Sequence, residues 1–474
     1  MGIKIEWAKL LERDPKLLTI LPTDTVWEND PSKPKFSVVL SDQTATMQQM
    51  NFANSGQLLT SGVVFRGRIL KKFIADHLHY HSDHIVLLWD KSCNASERRI
   101  QMYSEKRYQV PDGAKAVPKG KVRGFDGRFY YPHQAPIPKF NEETGFGVKR
   151  EQIITESNMY PLPQLLNASW TKNVVAQFIC KSLWDFAIGR SEHIIFDTPL
   201  VDGDDLCDGQ MKCNQPNCFI CPLANVPRHA ESDLLFLFHI RHLASVVPPT
   251  TKFLVRGSND RDLFVVLSFP YDQGLHDRIW WCKGTNDYGI SPSGEWVHPG
   301  ALTGKPKPCH EFLQMKRFVA MMGGPQNEML LTRLFLLFFF GGDYCETPKG
   351  LTSTALFNSL FSFQRPIITC TNQATLTLNV QAFHYYTQFT RDLSTRSRSI
   401  LDPDNLQKCT MDAFYSLAYY TAFHQDFAST DLQSPVGPTI TSFDCNPSHA
   451  DLFKTMLRPA MATNNTSSTI VYTF

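Results

Sequence analysis

Residues 36–41 (FSVVLS) and 85–89 (IVLLW) are short apolar runs, and each is followed directly by an aspartate, Asp42 or Asp90. Between them, residues 63–80 (VVFRGRILKKFIADHLHY) carry apolar side chains at a spacing close to 3.6, which predicts a helix. Short continuous apolar runs are typical of the central strands of a parallel sheet. Strand, helix and strand form a βαβ unit, so this stretch predicts a doubly wound α/β fold.

Similar patterns recur further along the chain. Apolar runs at 252–256 (KFLVR) and 263–267 (LFVVL) predict two more strands, one on each side of the Asp260-Arg261-Asp262 triplet. The helical period returns in several segments, which are 232–247, 310–322, 327–340, 381–392 and 411–423. The polar tail from Ala462 onwards is expected to be frayed.

The length of 474 residues exceeds that of a usual single domain. Many prolines, Gly-bearing turns and a cysteine-rich patch interrupt the pattern after Asp90, so we expect a large insertion there. The predicted organisation is a first part of the α/β core, a basic insertion, a second part of the core and a mainly helical C-terminal region, at residues 1–90, 91–228, 229–345 and 346–474.

Composition argues against membrane and secreted proteins. The most apolar run, 329–340, is shorter than the roughly 20 residues that span a bilayer, and Arg333 interrupts it. Lys4, Glu6 and Lys9 exclude the apolar core of a signal peptide. We therefore expect a nuclear or cytoplasmic protein, in a host cell if the chain is viral, whose twelve cysteines are reduced.

Carboxylates stand at the positions where such a sheet places functional groups, after strands and at helix starts. Four of them form two acid-x-acid pairs, Glu231-Ser-Asp233 and Asp260-Arg-Asp262, whose mutual repulsion a cation would relieve. Magnesium prefers such oxygen ligands and shares them with phosphate. For any single aspartate, capping of the next helix or the start of a turn is the simpler interpretation. The candidate metal ligands are Asp42, Asp90, Glu231, Asp233, Asp260, Asp262 and Asp343.

Six segments together resemble the flap-endonuclease/XPG family of structure-specific 5′ nucleases. FFFGGDYCETPKG, at 338–350, is similar to the Gly-x-Asp-Tyr segment of that family and its following turn. HAESDLL, at 229–235, resembles the Glu-x-Glu motif, with Asp233 in place of the second glutamate. The other four segments, in family order, are MGIKIEWAKLLE (1–12), FSVVLSDQTATM (36–47), IVLLWDKS (85–92) and GSNDRDLFVV (257–266).

The resemblance covers about half the chain, residues 1–90 and 228–350, and includes all seven acids. It implies a PIN-like 5′-nuclease core with a central, mostly parallel sheet and an arch-like insertion. It also implies hydrolysis of phosphodiesters by two Mg²⁺ or Mn²⁺ ions. By this analogy the first four acids in the sequence chiefly hold one ion, and Asp260, Asp262 and Asp343 complete the second site.

The expected activity is cleavage of DNA flaps or 5′ ends, in DNA repair or replication. An RNA endonuclease similar to the virion host shutoff nucleases remains an alternative, because no residue recognisably reads a 2′-hydroxyl. A second alternative is an inactive scaffold that binds nucleic acid. Retention of all seven acids favours an enzyme, since a scaffold has no electrostatic reason to keep them.

The insertion also offers a nucleic-acid surface and a second metal site. Residues 91–150 hold 13 Lys or Arg against 6 Asp or Glu, and Phe129, Tyr130 and Tyr131 are candidates for stacking on bases. Four cysteines within 15 residues predict either a structural zinc site, with His229 as a spare ligand, or free buried thiols. The candidate phosphate-binding residues are Arg98, Arg99, Lys106 and Arg107, and the candidate zinc ligands are Cys207, Cys213, Cys218 and Cys221.

Overall fold

The fold was analysed in a computed structural model of the 474-residue chain. The residues that the structure describes are 7–23, 35–52, 60–90, 119–124, 129–215, 218, 232–256, 261–268, 273–290, 296–297, 306–324, 328–341, 348, 353–371, 375–393, 405–406, 408–410, 412–414, 417 and 469–473.

Fourteen strands lie in these residues. They are β1 (Leu18–Pro22), β2 (Val38–Asp42), β3 (His84–Leu88), β4 (Val122–Arg123), β5 (Phe129–Tyr130), β6 (His193–Asp197), β7 (Met211–Cys213), β8 (Phe253–Arg256), β9 (Ile279–Ile290), β10 (Trp296–Val297), β11 (Lys307–Gln314), β12 (Ile368–Thr371), β13 (Thr375–Asn379) and β14 (Thr469–Thr473).

Twelve α-helices accompany them. They are α1 (Trp7–Arg13), α2 (Gln43–Phe52), α3 (Gly62–Asp76), α4 (Leu162–Leu165), α5 (Ser169–Ala187), α6 (Ser232–Val246), α7 (Arg261–Val266), α8 (Gln273–His276), α9 (Met315–Met321), α10 (Glu328–Phe339), α11 (Ser353–Ser362) and α12 (Val380–Leu393). Within the described ranges, none of the helices has both the length and the apolar character needed to cross a membrane.

The chain has the α/β class, with a mostly parallel sheet, and it divides into two compact units. Residues 23–258 form one unit, whose strands lie in the order β8-β2-β3-β6-β7. The first four strands are parallel, and β7 pairs antiparallel with β6 at the edge. The sequence prediction of β2, α3 and β3 as a βαβ unit is confirmed.

One face of this sheet carries the main core of the unit. Helices α2, α3 and α5 cover it, and their buried side chains pack with alternate residues of β3 and β6. Truncating a fully buried aromatic residue here, as in Phe65→Ala, would cost about 3–5 kcal/mol. The central members of the core are Met47, Phe65, Ile69, Phe73, Ile85, Leu87, Val175, Ile179, Leu183, Ile194 and Phe196.

Helix α6 covers the other face. It packs on β2 and β3, and residues that alternate with the main core, Leu88 and Asp197 among them, point to its side. The helix ends at Val246 and the chain then enters β8 at Phe253, at the amino end of a parallel strand. The N-terminus of α6 is therefore directed towards the carboxyl ends of the strands.

The expectation that the α/β alternation stops at residue 91 is wrong. Helix α5 and strand β6 both fall within 91–228, and β6 joins β3 in parallel register. The strand sequence HIIFD is only five residues long and lies between polar residues, so it gives a weak signal. The parallel core therefore takes one of its four strands from the segment expected to be an insertion.

The second unit comprises residues 1–22 and 259–474. Strands β1, β11 and β9 pair antiparallel, and β10 pairs with β9. Strands β12, β13 and β14 form a separate antiparallel sheet, and α10 and α12 pack beside it. A buried carboxylate, Glu311 on β11, accepts hydrogen bonds from Lys283 and Asn286 of β9, each at 2.6 Å, and from Tyr288.

Three predictions for this unit are wrong. Residues 263–267 lie largely in helix α7, not in a strand, and residues 310–314 belong to strand β11, with the helix starting only at Met315. Both runs are almost wholly buried, so no polar face shows their period. The tail from Ala462 was expected to be frayed, but Thr469–Thr473 pairs with β13, which also pairs with the Thr-rich β12.

Candidate functional site

Two of the predicted metal ligands lie at the carboxyl ends of adjacent parallel strands. Asp42 is the last residue of β2 and lies in register with Leu88, the last residue of β3, while Asp90 follows two residues later. Since side chains in extended chain alternate, Asp42, Leu88 and Asp90 fall on the same face. Asp42 is 6% exposed and Asp90 is half-buried, so both carboxylates lie at the boundary between core and solvent.

The first turn of α2 connects these two positions. Oδ1 of Asp42 accepts the backbone N–H of Ala45 at 3.0 Å, so the aspartate caps the helix. The backbone N–H of Asp90 donates to Oγ1 of Thr44 at 3.1 Å. A cap uses one oxygen of a carboxylate, which has about four lone-pair sites in total, so capping and metal binding by Asp42 are compatible.

A third predicted ligand lies on the helix that covers this face. Asp233 is in the first turn of α6, and the N-terminus of α6 is directed towards the carboxyl edge. A helix N-terminus favours negative charge, which suits an acid at that position. The structure describes the backbone of Asp233 but not its side chain, and Glu231 lies outside the described residues.

The remaining acids belong to the second unit. Asp262 lies in the first turn of helix α7, whereas the sequence predicted a position at the end of a strand. The structure describes its backbone but not its side chain. Asp260 and Asp343 lie outside the described residues. Of the seven predicted ligands, Asp42 and Asp90 are therefore the two whose side chains the structure describes.

Sequence reasoning missed a buried pair at the same edge. Asp197 ends β6 and lies in register with Leu88, so Asp42, Leu88 and Asp197 form one row across three adjacent strands. Oδ2 of Asp197 lies 2.7 Å from Nε2 of His239 on α6. The signal was present in the sequence, because HIIFD is a short apolar run that ends in an aspartate, as are the runs before Asp42 and Asp90.

The candidate nucleic-acid surface is described only in part. Arg98, Arg99, Lys106 and Arg107 lie outside the described residues. Strands β4 and β5 form a small hairpin in which Arg123 lies over the ring of Phe129 and Lys121 lies over that of Tyr131. Tyr131 is 51% exposed, and His133 stacks on its ring. Binding of nucleic acid at this hairpin stays a prediction.

Histidine and cysteine side chains form a second cluster, at the opposite edge of the sheet. Nitrogen and sulfur atoms of His193, Cys213 and Cys218 all lie within 4.8 Å of one another. Cys207, a predicted ligand, does not belong to this group, because its side chain is fully buried in the main core. Cys221 and the spare ligand His229 lie outside the described residues. The seven cysteines whose side chains the structure describes form no disulfide.

A second histidine supports the cluster. Nδ1 of His193 lies 3.0 Å from Nδ1 of His84, its register partner at the start of β3. Burial lowers the pKa of His193 to about 4, and the charge of the neighbouring His84 acts in the same direction. Burial also lowers the pKa of His84. Both rings are therefore neutral near pH 7, the state in which an imidazole nitrogen can bind a metal.

Comparison with known proteins assigns no family. A scan against protein-family models and a search of curated proteins gave no match.

Proposed function

We propose that this chain is a metal-dependent nuclease that cleaves DNA flaps or 5′ ends with two Mg²⁺ or Mn²⁺ ions. The observation that carries the proposal is the placement of Asp42 and Asp90 at the carboxyl ends of adjacent parallel strands, joined through Thr44. Ligands in open α/β sheets bind outside these strand ends. Two acids from separate parts of the chain thus share the edge at which such a sheet binds its substrate.

The donor set suits hard cations. All seven proposed ligands are carboxylates, and magnesium takes oxygen ligands in combination with water and phosphate oxygens. Bound there, the ions would lower the pKa of water and stabilise the charge that develops on the leaving oxygen. Asp42, Asp90, Glu231 and Asp233 are assigned to one ion, and Asp260, Asp262 and Asp343 to the other by the resemblance alone.

Each described acid is held in place by its surroundings. The Ala45 amide orients the carboxylate of Asp42, and the Thr44 hydroxyl fixes the backbone of Asp90. Asp233 is carried by a helix that the Asp197–His239 pair attaches to β6. Catalytic groups require such support, since a misplacement of about 1 Å can cost about 100-fold in rate.

The decisive experiment compares a labelled 5′-flap DNA with an RNA hairpin of matched size, each with and without Mg²⁺. We expect magnesium-dependent cleavage with preference for the DNA. Asp42→Asn and Asp90→Asn should each reduce the rate by about two orders of magnitude or more, because each removes a charged ligand. Asp83→Asn is the matched control, since Asp83 is an exposed residue just before β3, at the opposite edge of the sheet.

The outcomes separate the alternatives. Preference for the RNA hairpin would show that the protein is an RNA endonuclease that uses the same site, and not a DNA nuclease. Binding of either substrate without cleavage, under conditions in which the protein is folded, would indicate a scaffold. Cleavage at the parental rate by Asp42→Asn and Asp90→Asn would refute the site.

A further inference from the structure

The cluster of His193, Cys213 and Cys218 is independent of the carboxylates. His193 begins β6, whereas Asp197 ends it. The cluster therefore lies at the opposite end of the strands from the acidic row, which is the row that contains Asp42 and Asp197. Thiolate and imidazole ligands are soft or borderline donors, unlike the oxygens of the acidic row. A metal bound at the cluster would therefore be of a different kind from the ions proposed for catalysis.

The sheet itself brings two of the three ligands together. Cys213 lies opposite Ile195 in the antiparallel pairing of β7 with β6, and His193 is two residues before Ile195. Residues two apart share a face, so Cys213 and His193 are diagonal neighbours on one face of the sheet. The two side chains are thereby placed on the same side by strand pairing alone.

The turn after β7 holds Cys213 in position. Oδ1 of Asn214 accepts the backbone N–H of Ile194 at 2.9 Å. Its Nδ2 donates to the carbonyls of Ala187 and Glu192, both at 2.9 Å. Three hydrogen bonds from the residue next to Cys213 thus fix this turn to the start of β6, before any ion binds.

The ligand separations are close to those of a metal site. Sγ of Cys218 lies 3.1 Å from Nε2 of His193, an S–H···N hydrogen bond. Around a tetrahedral zinc ion the S···N separation is about 3.6 Å and the S···S separation is about 3.8 Å. A shift of about half an ångström, with loss of the thiol proton, would convert the hydrogen bond into shared coordination.

A hydrogen bond to His84 can set the tautomer of His193 that binding requires. Only one of the two facing Nδ1 atoms can carry the proton of their hydrogen bond. If His193 donates it, its Nε2 has a lone pair that can accept a hydrogen bond from the Cys218 thiol, whose sulfur lies 3.1 Å away. Metal-binding histidines usually donate their second N–H in this way, and the group that accepts it raises the basicity of the ligand.

We infer that His193, Cys213 and Cys218 bind a structural Zn²⁺ ion, with His84 as the positioning residue for His193. Cys221 lies outside the described residues, and its Cys-x-x-Cys spacing from Cys218 makes it the candidate in the sequence for a fourth position. A mixed sulfur and nitrogen set favours zinc over an iron–sulfur cluster, which usually requires four thiolates. The ion would join the segment after β7 to the amino ends of β6 and β3.

The test is the metal content of the full-length chain, expressed with zinc supplied and purified under reducing conditions without chelators. We expect one zinc ion per chain by elemental analysis. Replacement by Co²⁺ should give sulfur-to-cobalt charge-transfer absorption and the visible bands of a tetrahedral site. Asp42→Asn should retain the zinc, so failure of the nuclease proposal and failure of this one are distinguishable.

Variants define the ligand set. Cys213→Ala, Cys218→Ala and His193→Gln should each lose most of the zinc, whereas Cys207→Ala, the control within the same cysteine-rich patch, should retain it. His84→Ala should weaken zinc binding by about 10- to 100-fold without abolishing it, as expected for a group that orients a ligand. Retention of zinc by both Cys213→Ala and Cys218→Ala would overturn the assignment.

Alkylation of the unmutated protein tests the site even if the variants fail to fold. Bound zinc should protect Cys213 and Cys218 from alkylation, and removal of the ion should expose both to the reagent. Equal alkylation with and without zinc, or a disulfide between these two cysteines in the purified chain, would refute the site.

Discussion

Nε2 of His239 lies 2.7 Å from Oδ2 of Asp197, and both side chains are almost completely buried, with exposures of 1% and 0%. The contact joins helix α6 to the end of strand β6. A carboxylate only accepts hydrogen bonds, so the imidazole must donate through Nε2. Because α6 carries Asp233 in its first turn, this pair fixes the helix that delivers a proposed metal ligand.

Breaking this pair should be costly. Asp197→Ala leaves a buried imidazole without its acceptor, and loss of one partner of such a pair costs about 3–5 kcal/mol. We expect the double variant Asp197→Ala/His239→Leu to lose less than the sum of the two single variants, with a coupling of about 1–3 kcal/mol. Urea unfolding of the four proteins measures this cycle. Strictly additive losses would show that the contact contributes little.

Thr44 allows a test of the position of Asp90 that should cost less stability than loss of the Asp197–His239 pair. Thr44→Val keeps the shape of the side chain but removes the acceptor of the Asp90 amide, so the stability loss should be only about 1 kcal/mol. The nuclease rate should fall about tenfold or more, because the backbone that carries Asp90 is no longer fixed. The check is single-turnover cleavage at saturating substrate. A parental rate would mean that Thr44 does not position Asp90.

His77 should make the fold sensitive to acid. Its ring is buried and stacks on Phe73, and its Nδ1 lies 3.1 Å from the Phe73 carbonyl. Burial is the largest influence and lowers the pKa of His77 from 6.5 to about 3, although the charge of Asp76 acts to raise it. The unfolded chain therefore binds a proton between about pH 6.5 and about pH 3 that the folded chain does not bind.

Protonation of the unfolded chain therefore lowers the stability of the fold in acid. Stability from His77 is complete above pH 6.5 and is lost as the pH falls, by about 1.4 kcal/mol per unit, or roughly 2 kcal/mol at pH 5. His77→Leu should flatten the fall in the free energy of unfolding between pH 7 and pH 5. The control is His81→Gln, at an exposed position four residues later. Equal pH dependence of His77→Leu and the parent would contradict the prediction.

The carboxylate of Glu311 should be a stability determinant of the second unit. It is 1% exposed and pairs with Lys283 at 2.6 Å, and burial together with its hydrogen bond raises the pKa of Tyr288. Glu311→Gln removes the charge that pairs Lys283, so we expect a loss of about 3 kcal/mol on urea unfolding. Asp287→Asn, an exposed acid on the neighbouring strand β9, is the matched control. Equal stability of the two variants would show that the network is dispensable.

Sequence patterns succeeded where burial is one-sided or the apolar run is short and bounded. Strands β2, β3 and β8 and helices α3, α6 and α10 were predicted close to their observed bounds. The pattern failed for α7, because Leu263, Val265, Val266 and Leu267 are all fully buried and leave no polar face to reveal a period of 3.6. Burial on all sides removes the information that distinguishes a helix from a strand.

Some residues of the candidate sites could be identified from the sequence, and others could not. Asp42 and Asp90 were identifiable because strand ends in a parallel sheet share an edge, and Cys213 and Cys218 because of their spacing. His193 was not identifiable, since it lies 20 residues before Cys213, and only the register of β6 against β7 brings the two together. Recognition of HIIFD as a strand would have indicated Asp197 and His193 together, one at each end.

The length of β6 has a practical consequence. Its first and last residues are separated by about 13 Å of extended backbone, too far for donors at the two ends to bind the same ion. Nitrogen and sulfur atoms stand at one end, and oxygen atoms stand at the other. Selective extraction should therefore be possible, with a mercurial reagent that attacks thiolates clearing one end and dialysis into magnesium-free buffer clearing the other.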